Sequence, residues 1–150
     1  MIRLDIDYFA SSVYFKSEIW NNNLSKFSEC GMVFDTGASM TTIDTKLAIR
    51  AGYKLKTSRI LKVNTPKGIM LAERIILRDL KLGGYTLGPV LVDVVDFDEN
   101  SSVLACLGMN VIKHFKTTAD WEDAHEIWNV KSKCSDKYDA TIVLEPNILI

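Results

Sequence analysis

The chain has 150 residues, 47% hydrophobic and 25% charged, the composition of one soluble globular domain. A domain of that size buries about 68–70% of the surface its unfolded chain exposes, so it needs neither disulfides nor metal to hold a core. Its 18 basic and 19 acidic residues are interspersed and leave a formal net charge of -1, which excludes the basic stripe of a nucleic-acid binder and the acidic tail of a protein with a cationic partner.

The opening Met1-Ile2-Arg3-Leu4-Asp5-Ile6-Asp7 carries charges where a secretion signal needs an apolar core. The longest apolar runs, such as Pro89-Val90-Leu91-Val92, break at Asp93, far short of a bilayer span. These features predict a cytoplasmic chain with no membrane partner. Cys30, Cys106 and Cys134 are an odd set without C-x-x-C spacing, as expected of reduced thiols, and His114, His125 and Cys134 match no zinc spacing, so neither metal nor cofactor is expected.

Residues 2 to 15 alternate partly, with Leu4, Ile6 and Tyr8 and then Val13, Tyr14 and Phe15, and predict one or two strands. Asn21-Asn22-Asn23 with Ser25 and Ser28 reads as a loop, and a strand is expected from Met32. That strand leads into Val33-Phe34-Asp35-Thr36-Gly37-Ala38-Ser39, an apolar pair running into a carboxylate, a hydroxyl and a glycine that lets the backbone turn sharply. Two readings follow. Asp35 sits in a buried turn with Thr36, Ser39 and the Gly37 N–H as candidate donors, or it closes a surface Asx turn on its own backbone.

Asp44 is placed to cap a short helix with Leu47, Ala48 and Ala51 on its apolar face and Gly52 at its stop. Ile60 to Asn64 and Ile69 to Ala72 flank Thr65-Pro66-Lys67-Gly68, whose Pro and Gly spacing is that of a type I turn, so a β-hairpin with a polar tip is predicted. A second hairpin is expected from Arg74–Leu82, a turn at Gly83-Gly84 and a return over Tyr85–Val95, with Val90–Val95 suited to the middle of a sheet. Val103–Gly108 reads as a buried strand ending where a side chain would obstruct a crossing backbone, followed by a short helix from Met109. Trp121 and Trp128 bracket a predicted hairpin, Lys131–Asp136 a loop, and Thr141–Leu144 a last strand before Pro146.

Taken together, Val33–Ser39, the helix after it, the hairpin tipped by Thr65-Pro66-Lys67-Gly68, and Leu107-Gly108-Met109-Asn110-Val111-Ile112 resemble the retropepsin-like aspartic proteases, the single-domain family of retroviral proteases and their bacterial relatives. The resemblance covers roughly residues 30 to 116. It implies a mainly β, retropepsin-like acid-protease barrel with one or two short helices, one domain over residues 1 to 150, active as a two-fold homodimer. Lys16–Glu29 departs from the family as a longer connection, and 117 to 150 form a C-terminal extension expected to contribute to the dimer.

Within that resemblance Asp35 is the catalytic residue, paired with its symmetry mate because the chain has one Asp-Thr-Gly. Thr36 would bond to the partner's loop, Gly37 would donate its N–H to the carboxylates, and Ser39 would add a donor. Ala38 brings no hydroxyl to the charged form, so a Ser there is expected to move the acidic limb of a pH–rate profile to lower pH. Thr65, Pro66, Lys67, Gly68 and Ile69 would form a flap over an extended polypeptide, and Leu107, Gly108 and Asn110 a scaffold behind the site. Two functions fit these residues: an aspartic endopeptidase, and a catalytically silent dimerisation or peptide-binding module with the same fold.

Overall fold

The computed structural model describes residues 2–7, 13–56, 60–65, 68–101, 103–120 and 140–146. The hairpin expected between Trp121 and Trp128, the loop at Lys131–Asp136, Pro66, Lys67 and the terminal Asn147–Ile150 lie outside them. The described residues are mainly strand, with two short helices.

The chain opens with β1 (Ile2–Asp7), β2 (Tyr14–Asn21) and β3 (Lys26–Phe34). Here the structure corrects the sequence reading. Lys16–Glu29 is a β-hairpin, Tyr14 facing Val33 through to Asn21 facing Lys26, so β3 begins six residues before Met32. Asn21 closes the turn: its Oδ1 accepts from Asn23 N at 2.9 Å and Leu24 N at 3.0 Å, while its Nδ2 reaches back to Ser28 Oγ at 3.1 Å. The Asn and Ser side chains that suggested a loop hold the hairpin together. Trp20 and Phe27, opposite each other, meet edge to face at 5.4 Å.

After the loop that follows Phe34 come β4 (Thr42–Asp44) and α1 (Thr45–Arg50). Asp44 caps α1 as expected, its Oδ2 accepting from Lys46 N at 2.8 Å, and Leu47, Ala48 and Ala51 are buried. The predicted first hairpin is β5 (Ile60–Thr65) with β6 (Gly68–Leu77), paired from Ile60–Glu73 to Thr65–Gly68.

The second hairpin is more divided than expected. Gly83-Gly84 does join two strands, β7 (Leu80–Leu82) and β8 (Tyr85–Leu87), but the return breaks at Gly88-Pro89. The next strand, β9 (Val90–Val95), pairs with β6 on one edge and β4 on the other. Proline has no N–H to give a ladder, which ends β8 there. β10 (Ala105–Leu107), α2 (Met109–Ile112), β11 (Phe115–Asp120) and β12 (Ala140–Pro146) complete the order. β11 is a strand that the alternation did not suggest.

The strands form one hydrogen-bonded order, β11-β12-β1-β2-β3-β10-β4-β9-β6-β5, with β7 branching from β2. Its central strands have two distinct faces. Met32, Ile43, Val92, Val94, Ala105 and Leu107 are buried in the core on one. The other carries a row in direct register across five strands: Val33, Cys106, Thr42, Asp93 and Arg74. Val92 and Val94, suited by sequence to the middle of a sheet, are indeed core.

Candidate active site

Asp35 follows directly on β3, which lies parallel to β10 with Leu107 opposite Phe34. Its N–H continues that ladder to Leu107 O at 3.0 Å, and its half-buried carboxylate accepts from Gly37 N at 2.9 Å. A Cβ on Gly37 would stand 3.2 Å from the same Oδ1, so the glycine allows the tight wrap around the carboxylate. Thr36, Gly37 and Ser39 are exposed at the rim, and Ala38 is half-buried.

The topology explains the rest of the loop. β10 lies between β3 and β4, the two strands that residues 35–41 connect, so the loop must cross the end of β10. Gly108 occupies that crossing: a Cβ there would lie 2.3 Å from the Met40 carbonyl carbon. Only a residue without a side chain admits this approach.

Past Gly108, the first N–H groups of α2 have no partner within the helix, and the loop supplies them. Met109 N donates to Ala38 O at 2.7 Å and Asn110 N to Ser39 O at 3.0 Å. Ser39 thus meets the scaffold through its carbonyl. Asn110 binds more widely: its Oδ1 accepts from Thr41 N at 2.7 Å and Thr41 Oγ1 at 2.9 Å, and its Nδ2 donates to Leu91 O at 2.8 Å. Thr41 Oγ1 accepts from Gly108 N at 3.1 Å, and Thr41 O from Asp93 N at 2.9 Å. Thr41, wholly buried, is a residue that sequence reasoning missed, since its partner lies 69 positions away.

Cys106 stands in the row beside Val33, two residues before Asp35, which follows the end of β3. Burial raises its thiol above the ordinary range, a hydrogen bond with Thr42 opposes this, and the nearby Asp35 charge raises it further. It is a neutral thiol at physiological pH, a poor nucleophile.

The hairpin tip expected as a flap is placed only in part: Thr65 and Gly68 face each other in register and Ile69 is 68% exposed. The structure brings Asp35, Gly37, Ala38, Ser39, Leu107, Gly108 and Asn110 together, and leaves the hairpin projecting from the edge of the sheet order.

A family model described as aspartyl protease matches residues 21–111. The chain belongs to the aspartyl protease family. Among solved structures, it is similar to a retropepsin-like aspartic protease from Rickettsia conorii, with 21% identity and a TM-score of 0.59 over 95% of this chain and 97% of that one. It is also similar to the EIAV protease, in a complex with the inhibitor HBY-793, with 15% identity and a TM-score of 0.53 over 70% of this chain and 88% of that one. No curated protein matches. At these identities the likeness is one of fold, and the fold is the mainly β retropepsin fold that the motif order implied.

Proposed function

We propose that this aspartyl protease family member is an endopeptidase that cleaves extended polypeptide as a two-fold homodimer. The observation that carries the reading is the state of Asp35: a carboxylate half-buried on a clamped loop, with Thr36 and Gly37 exposed beside it. A second copy facing this rim would set two Asp35 side chains together, and like charges that close share one proton.

The chemistry then follows. The ionised carboxylate takes a proton from a water as its oxygen attacks the scissile carbonyl carbon, while the protonated carboxyl gives its proton to the carbonyl oxygen. The resulting diol collapses with proton transfer to the leaving nitrogen. The β5–β6 hairpin, with Ile69 at its tip, closes over the peptide and pairs with its backbone.

The test is incubation of the pure protein with unfolded polypeptides from pH 4 to 7, beside Asp35→Asn, with light scattering at the assay concentration. Cleavage by the native chain alone, in samples that scatter as dimers, is the expected result. Equal cleavage by both proteins removes Asp35 from the mechanism, and cleavage by neither leaves a peptide-binding module.

A further inference from the structure

The row Val33, Cys106, Thr42, Asp93, Arg74 crosses the face of the sheet opposite the core, from the strand that delivers Asp35 to the strand that carries the hairpin. Three of its five members, Thr42, Asp93 and Arg74, are polar. Asp93, 1% exposed, interrupts the apolar run Val90–Val95 and receives Arg74 Nε at 2.8 Å on Oδ1 and Nη2 at 3.3 Å on Oδ2. That bond holds the Arg74 cation above its ordinary range, and the Arg74 side chain is 39% exposed.

An ion pair in such a place is weak evidence of stabilisation, since an apolar pair of similar volume often serves as well. What it supplies is a guanidinium of fixed orientation. Asp93 takes two of its five donors from the buried side, and the exposed cation is what an approaching ligand meets first. On a cleft floor, that arrangement selects a carboxylate.

The geometry points to Arg74, oriented by Asp93, as a specificity-determining residue that takes an acidic side chain of the bound peptide. This inference rests on the endopeptidase reading for its cleft. An extended peptide lying over the row turns alternate side chains toward it, so one position near the scissile bond meets Arg74. A Glu there meets the guanidinium with a full negative charge, which the isosteric Gln lacks.

The experiment compares matched peptides differing only by Glu or Gln at each position flanking the scissile bond. Native protein is expected to favour Glu by about tenfold or more in kcat/KM at one position. Arg74→Met alone leaves Asp93 buried and unpaired, so the variant of choice is Arg74→Met/Asp93→Leu, which removes both charges. It is expected to bring the Glu-to-Gln ratio close to one. A native protein that does not discriminate, or a ratio that survives in the double variant, overturns the inference and leaves a structural ion pair. Binding of the same peptides, fluorescently labelled, to Asp35→Asn by polarisation separates recognition from catalysis. Glu-selective binding without cleavage by the native chain defeats the endopeptidase reading and keeps this one, cleavage without Glu preference does the reverse, and neither binding nor cleavage overturns both.

Discussion

Asp35, just past the end of β3, and Asp93, within β9, are treated in opposite ways. Asp93 is sealed in, with a guanidinium across both its oxygens. Asp35 is half-buried, and the chain donor described for its carboxylate is a single backbone N–H, that of Gly37. The comparison shows where each charge gets its compensation. Asp93 has its charge partner within the chain, whereas Asp35 is held on a clamped loop with its carboxylate left open at the rim.

The largest effect that could break this contrast is on catalysis. Asp35→Asn is expected to lower peptide cleavage by about 10³-fold or more while shifting the urea unfolding free energy by less than about 1 kcal/mol. A large loss of stability would show that Asp35 is structural after all. Arg74→Met should behave in reverse, costing about 3 kcal/mol in the same titration because a sealed carboxylate loses its cation, and Asp93→Leu added to it should restore most of that. Thr41→Val orphans the Gly108 N–H and one Asn110 bond beneath the Asp35 loop; about 2 kcal/mol, or a Tm lower by about 5 °C, is expected in a calorimeter.

A third carboxylate refines the picture. Asp44 accepts from Lys46 N and from Phe97 N at 2.9 Å, both backbone donors, so Asp44→Ala should cost about 1 kcal/mol in thermal unfolding. The smallest effect changes only in alkali. Cys30 has its thiol pushed up by burial from 9.0 to about 12, with the Arg50 charge opposing this. The unfolded chain ionises first, so this contribution to stability is whole below pH 9.0 and is lost as pH rises toward about 12. Urea midpoints of native protein and Cys30→Ala should therefore converge in alkali.

Much of the site was legible because its signals are local. Asp35-Thr36-Gly37, the Asp44 cap and Leu107-Gly108 each announce themselves within a few residues. The β5–β6 hairpin did too, through Thr65–Gly68. What escaped depends on partners far away in sequence. Thr41 looks like an ordinary β-branched residue until Asn110 is beside it. Asp93 read as an interruption in a buried strand, and only the pairing of β6 with β9 sets Arg74 opposite. The start of β3 was misplaced because three of the four residues Lys26–Glu29 are polar, and the strand character of that segment comes from cross-strand pairing with β2.

The passage of the 35–41 loop over the end of β10 has a consequence for the order in which the chain acquires its chemistry. Thr41 and Asn110 are 69 positions apart, so during synthesis the carboxylate-bearing loop emerges long before its floor exists. A nascent chain that has reached residue 100 holds Asp35 on an unanchored segment, with neither Gly108 beneath it nor Asn110 to tie it down. The loop that carries Asp35 therefore depends on contacts from a segment about 70 positions later, and a chain lacking Met109 and Asn110 cannot close them.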